Sequence, residues 1–415
     1  VKIYGALNLA VLTSLVIGVA ARAQSSALST QPDRPLRIAA IVTVYHVNSH
    51  ADVIVSRLLK TDTMDGKGRT YPLELVSLYV DQFPDNDISR GLSRQYGFPI
   101  YPSIREALTC GTDELAVDGV LLIAEHGKYD KSETGNTRYP KRRFFDETIA
   151  VFRQAGRVVP VFMDKHVADN WKDIHAIYST AKRMNIPMMA GSSLPVLWRH
   201  PPVDVQRGAK LDQIVVISYH TLDAYGFHAL EIVQSLAERR AGGETGIKAV
   251  RCLSDEQTWT VLDSGECDSA LFQAALDRHP KLRNGKKTIR EAAHKPTVMI
   301  IEYADGLKAF VFTLNRVTIY WSAAWKRADG VSRSAWYPTQ ERDPFIHFSY
   351  LLNGIEQMFL TGKPTWPVER TVLTSGALDD LLRSLTAGGT RIETPHLMMS
   401  YQSDWNWTEP PPFEE

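Results

Sequence analysis

Cysteine is scarce: 415 residues carry three, Cys110, Cys252 and Cys267. They are too few and too scattered for a disulfide scaffold or a cysteine-built zinc site, although Cys252 and Cys267 are candidates for one bond in an oxidising compartment. Net charge is missing too. The 47 basic residues cancel the 47 acidic ones, which leaves no electrostatic footprint for nucleic acid or an anionic membrane and favours a small-molecule partner. No H-E-x-x-H occurs, so there is no compact metalloenzyme signature, and no repeat of fixed period points to a solenoid. The one long apolar run, Ile3 to Ala20, follows Lys2 and leads into Ala21-Arg22-Ala23. A basic start, an apolar middle and a small-x-small end predict a secretory signal peptide over 1–23, with Gln24 as the mature start. Read as a membrane anchor, the run is barely long enough. No twin arginine precedes it, so export is of the unfolded chain. The expected location is periplasmic or secreted, with no membrane attachment after cleavage.

What is present is alternation. Residues 24–35, rich in Ser, Pro and Gln, read as a linker. From residue 36 to 195, apolar strands (Arg37–Thr43, Leu73–Val80, Asp118–Ala124, Val158–Met163, Ile186–Ala190) alternate with helical spacing, and Ser49 with Asp52 is placed to cap the first helix. This predicts an α/β fold, a Rossmann-like doubly wound parallel sheet. Residues 196–390 read as a second, α+β domain. Its strands are Ile214–Tyr219, Thr297–Tyr303, Leu307–Leu314 and Val317–Trp321; its helices run from Tyr225 to Arg240, Phe345 to Leu360 and Val372 to Leu385. The expected sheet is largely antiparallel and open, a candidate surface for homo-oligomer formation. Residues 391–415, with Trp405 and Trp407, form an irregular tail.

In open parallel sheets ligands bind beyond the carboxyl ends of the strands. Two strands end there in reactive residues, one in Asp164-Lys165-His166 and the other in Glu125-His126-Gly127-Lys128. The first strand is followed by a turn without glycines. Thr43, Tyr45 and Asn48 stand where a dinucleotide fingerprint has them, and a tyrosine ring would fill the space in which backbone approaches a pyrophosphate. Asp81, ending the second strand, is placed to accept the ribose hydroxyls of NAD. Weak or unusually posed NAD or NADP binding is the expectation.

Four stretches, in order, resemble the Gfo/Idh/MocA family of sugar-type dehydrogenases over roughly residues 36 to 390. They are Tyr101-Pro-Ser-Ile-Arg-Glu-Ala-Leu108, Asp118 to Ala124, Val161-Phe-Met-Asp164-Lys165-His166 at the place of the family's E-K-P, and Gly226-x-His228-x-x-Glu231 at the place of G-x-H-x-x-D. The resemblance implies NAD(P)-dependent oxidation of a carbohydrate-like substrate, with Lys165 and His228 as the acid–base groups. Departures lie on the cofactor side. The fingerprint glycines are absent, Asp164 and His166 replace Glu and Pro, Ala224 stands where an aspartate precedes the glycine, and Glu125-His126 replaces the Thr-Pro beside the nicotinamide, making Glu125 a candidate cofactor contact.

Read on their own, His126 and His166 are expected to join Lys165 and His228 in one pocket. Lys165 has an alternative role as ion-pair partner of Asp164 or Glu125. The same imidazoles with Glu125, Asp164 and Glu231 offer a divalent-metal alternative, suited to a lyase, epimerase or hydrolase acting on carbohydrate; His228 and Glu231 lie three apart, on one helix face. A third alternative is a binding homologue without catalysis. Trp321, Trp325, Trp336 and Tyr337, beside Arg327 and Arg333, read as a sugar-stacking wall or as core.

Overall fold

The computed structural model describes Val1 and residues 34–412, so the expected signal peptide and nearly all of the expected linker lie outside the described residues. The first half alternates β1 (Leu36–Val42), α1 (His50–Leu59), β2 (Leu73–Val80), α2 (Ser89–Tyr96), β3 (Ile100–Tyr101), α3 (Ile104–Thr109), β4 (Gly119–Ile123), α4 (Lys141–Ala155), β5 (Val161–Asp164), α5 (Trp171–Arg183) and β6 (Met188–Gly191). These six strands form one parallel sheet in the order β3-β2-β1-β4-β5-β6. The order reverses between β1 and β4, which puts the ligand crevice of such a sheet at their carboxyl ends. Both faces are covered, hence the unbroken apolar runs. On β4, Val120 and Leu122 pack beneath α4 and α5, while Leu121 and Ile123 join the opposite core. Ser49 caps α1, its side chain accepting from Asp52 N as the sequence predicts.

The second half holds β7 (Leu211–Ser218), α6 (Phe227–Ala237), β8 (Ile247–Ser254), α7 (Thr260–Asp263), α8 (Ser269–Leu276), α9 (Ile289–Ala292), β9 (Thr297–Tyr303), β10 (Lys308–Thr313), β11 (Trp321–Arg327), β12 (Ser332–Tyr337), α10 (His347–Thr361), α11 (Glu369–Thr386) and β13 (Ile392–Glu393). Its seven-stranded sheet runs β12-β11-β7-β10-β9-β8-β13. Only the β7–β10 pair is parallel, so the expectation of a mostly antiparallel sheet is met. The sheet is open, with β12 and β13 at its edges. One face packs on α6 and α11, and Leu271, Phe272, Ala275 and Leu276 of α8 cover Val215, Ile217, Phe310 and Phe312 on the other.

Three other expectations change. Val317–Tyr320 is not strand: Val317 N bonds back to Leu314 O in a turn with Arg316 at φ 68°, and β11 starts only at Trp321. Cys252 and Cys267 are both free, Cys252 lying in the core on the α11 side of the sheet and Cys267 in the core on the α8 side. The division at 195/196 separates the sheets but not the cores. Phe348, Leu351, Leu352, Ile355 and Phe359 of α10 pack with Ile38, Ala40, Leu121 and Ile123 of the first sheet. Each such fully buried side chain contributes about 1.5–3 kcal/mol. The last half of the chain thus completes the first sheet. Within the second half, Arg370 of α11 meets Glu238, just beyond α6, in a buried two-pronged pair.

Candidate active site at the strand ends

Glu125 lies just beyond β4, buried. Its two carboxylate oxygens each accept from a lysine at 2.9 Å, Oε1 from Lys141 and Oε2 from Lys165. Burial alone would raise the Glu125 carboxyl; the two ammonium groups outweigh it and hold it well below the usual range. Lys165 is itself desolvated, but Glu125 and Asp164 keep it above its ordinary value and so protonated. Lys141 also donates to the backbone carbonyls of Asp164, Lys165 and His166, fixing the turn after β5. Asp164 accepts from His50 Nδ1 at 2.6 Å and from the Lys165 amide at 2.9 Å. Of the two ion-pair partners foreseen for Lys165, the structure supplies Glu125.

Sequence reading missed Lys141 and His50. The signal for His50 was available: it opens the helix after β1, whose N-terminus faces the crevice. Lys141 reaches Glu125 only through the chain path between β4 and α4, which composition does not reveal.

Four histidines stand around these charges in neutral form. Burial first, then the lysines, lowers His166 to about 3; burial and His50 lower His126 to about 4; burial lowers His347 to about 3. Nδ1 of His166, Nε2 of His126 and Nδ1 of His347 are buried without a hydrogen-bond partner. The His126 ring sits 5.7 Å from that of His46 and 5.2 Å from that of His50, whereas His166 packs at 5.2 Å on Phe227. His228, in the first turn of α6, shares a 2.5 Å hydrogen bond through Nδ1 with Ser192 Oγ. Burial holds its imidazole well below the ordinary range, and the nearby Lys165, His50 and His347 add to the effect. The Lys165 charge is thus felt by His228, His166 and His126 alike.

Glu231 turns away. Its carboxylate accepts from Thr374 Oγ1 at 2.6 Å and from Ser192 N at 3.3 Å, and burial raises its pKa. With Glu125 and Asp164 also engaged, the divalent-metal alternative loses its ligands. Among the described residues no three His, Cys, Asp or Glu side chains gather to hold an ion.

The dinucleotide side is filled by the protein. At the β1–β4 crevice, Thr43 Oγ1 donates to the Glu125 carbonyl at 2.6 Å, bridging the two strand ends. Tyr45, expected beside a phosphate, points into the core, fully buried, with its hydroxyl 2.8 Å from Ser56 Oγ. Asn48 is exposed at φ 63°, and its amide donates to the Asp52 carboxylate at 2.9 Å. A carboxylate thus occupies the helix start where a phosphate would seek those donors. Asp81 accepts from Tyr79 and Tyr129 hydroxyls, 2.7 Å each, and from Arg143. Burial opposes its ionisation, but these three partners lower its pKa overall. Of the five expected cofactor contacts, Thr43, Tyr45, Asp81 and Glu125 are committed to internal partners. These residues do not fit a dinucleotide in the usual pose.

The expected aromatic wall divides. Trp321, Trp325 and Tyr337 belong to the core under α6, while Trp336, on the other face of β12, is half-buried. Arg327 turns to Asp329 and Arg333 to its neighbour's carbonyl.

No protein-family model and no curated protein matches the chain. Solved structures do. GenD2 from gentamicin A biosynthesis, solved in complex with NAD, is 14% identical with a TM-score of 0.55, over 87% of this chain and 96% of its own. Myo-inositol 2-dehydrogenase from Lactobacillus plantarum is 9% identical (TM-score 0.53, 87% and 99% covered). Scyllo-inositol dehydrogenase from Lactobacillus casei is 8% identical (TM-score 0.53, 87% and 98% covered). These neighbours are Gfo/Idh/MocA-type dehydrogenases, and the chain has their fold.

Proposed function

Starting from that shared fold, we propose that the protein modifies a sugar or sugar-derived small molecule by proton transfer in the Lys165–His228 cleft, with no dinucleotide in the usual cradle. The carrying observation is the split between neighbours. Lys165 is held protonated by Glu125 while His228 is held neutral. Environments that push two titratable groups apart assign acid and base. With the His228 Nδ1 proton donated to Ser192, Nε2 accepts a proton from a carbinol, or from the carbon beside a carbonyl. The Lys165 ammonium hydrogen-bonds the oxygen on which negative charge grows. A positioned acid–base pair of this kind contributes about 10²- to 10⁴-fold. Epimerisation or elimination on a carbohydrate suits it.

A second reading is supported by the fold neighbours, one of which is bound to NAD. In it the protein is an oxidoreductase holding NAD or NADP in a different pose. The two separate in one experiment. The full chain, incubated with a panel of sugars in deuterated water and no added cofactor, is expected to exchange a carbon-bound hydrogen. Lys165→Met and His228→Asn abolish that exchange. Release of a dinucleotide on denaturation, or sugar oxidation only after NAD(P) is added, supports the second reading instead. The proposal also places the protein outside the cytoplasm, which cell fractionation checks.

A further inference from the structure

A cavity of about 1070 Å³ opens between the β12 edge and the C-terminal tail. Four aromatic side chains line it: Trp198, Tyr219, Tyr320 and Trp336. Trp336 Nε1 and Gln340 Nε2, both on lining residues, are buried donors without a partner. The Gln340 amide is held in place, because its Oε1 accepts from Ile346 N at 2.8 Å. Buried donors left unpaired in this way call for an acceptor from outside. Glu341 and Glu409, also on the wall, supply acceptors for hydroxyl groups. Pro411 closes one side, its carbonyl fixed by Trp198 Nε1 at 2.9 Å and Tyr350 OH at 3.0 Å.

We propose that this cavity is a carbohydrate subsite in its own right, roomy enough at about 1070 Å³ for a glycoside of at least two rings. Aromatic faces cover the apolar C–H side of a sugar ring, and fixed donors and carboxylates meet its oxygens, the mixture a polyol requires. A relay of rings leads from its wall toward His228. Tyr219, on the cavity wall, lies 4.9 Å from Tyr225 and 4.7 Å from Trp321; Tyr225 and Trp321 lie 6.3 and 5.7 Å from His228. Two rings in series, Tyr219 and then Tyr225 or Trp321, stand between the cavity and the proposed base.

Binding here is independent of the proposed chemistry at Lys165 and His228. Calorimetry and tryptophan fluorescence on the full chain, with maltose, cellobiose and lactose against glucose and galactose, test it directly. At least one disaccharide is expected to bind about tenfold or more tightly than its monosaccharides, a difference of about 1.4 kcal/mol. Trp336→Ala and Tyr320→Ala each weaken that binding about tenfold, and Trp336→Phe, which keeps a ring but loses the N–H, falls between. Equal binding of mono- and disaccharides, no binding by any of the five, or disaccharide binding unchanged in both alanine variants overturns the subsite. Turnover unaffected by Lys165→Met overturns the proposed chemistry and leaves the subsite standing, because binding is read without reaction.

Discussion

Lys141 and Lys165 divide one carboxylate, each donating at 2.9 Å to a different oxygen of buried Glu125. Their losses should differ. Lys141→Met strands half of Glu125 and strips a donor from three backbone carbonyls, and breaking a buried pair this way costs about 3–5 kcal/mol. Lys165→Met leaves Lys141 on the carboxylate, so the expected drop in Tm is smaller, while turnover is lost. Thermal melts and activity on the two variants check the order. Equal losses of stability would contradict it.

Acid should destabilise the protein in a defined window. In the unfolded chain His126, His166 and His347 take up a proton near their ordinary value of 6.5; in the folded protein they do so only at about 4, 3 and 3. The unfolded state binds more protons throughout that interval. Stability present above pH 6.5 is therefore lost as pH falls, by about 1.4 kcal/mol per pH unit for each histidine, levelling below the folded values. Glu125, also depressed, adds a loss of the same sign at lower pH. Urea titrations from pH 7 to 4 measure the slope; a flat profile would count against buried neutral imidazoles.

Asp81→Ala removes the acceptor of two tyrosine hydroxyls and an arginine. The expected result is a loss of about 1–3 kcal/mol in stability. No dinucleotide affinity should be lost with it, because calorimetry on the parent protein is expected to find little. Tight NAD(P) binding that falls with Asp81 would reverse the reading of this side of the sheet.

Gly191 ends β6 at φ 127°, and an added Cβ would lie 2.6 Å from Glu231 Oε2 and 2.8 Å from Thr371 Oγ1. Gly191→Ala combines backbone strain with that clash, so a loss of roughly 1–3 kcal/mol is expected. Because Ser192 follows directly and holds His228, turnover should fall more than stability does. A calorimetric melt and the deuterium-exchange rate, measured together, check both parts.

Apolar strands were plain in the sequence: β2 and β9 run between the residues their apolar runs mark. β8 was missed because Lys248 and Arg251 break its apolar pattern, and β12 because it opens on exposed Ser332 and Arg333. At the site, the acids and bases ending β4 and β5 were legible as reactive clusters, since strand ends in a parallel sheet face the crevice. Their pairing was not. Lys141 and His50 arrive from helices, and the inward turn of Tyr45 is matched by the Ser56 hydroxyl, eleven residues further on in α1.

The cover that α10 provides for the first sheet sets an order on synthesis. Until residues 347–366 are made, the face carrying Ile38, Ala40, Leu121 and Ile123 has α1 but not α10 over it, and Trp366 cannot donate to the Ala190 carbonyl at the end of β6. At about 5–20 residues per second, a ribosome needs on the order of ten seconds or more to travel from β6 to α10. During that interval the nascent first half is a customer for chaperones rather than a finished unit. A chain cut after residue 195 should aggregate, and the two halves cannot be exchanged with another protein as independent modules.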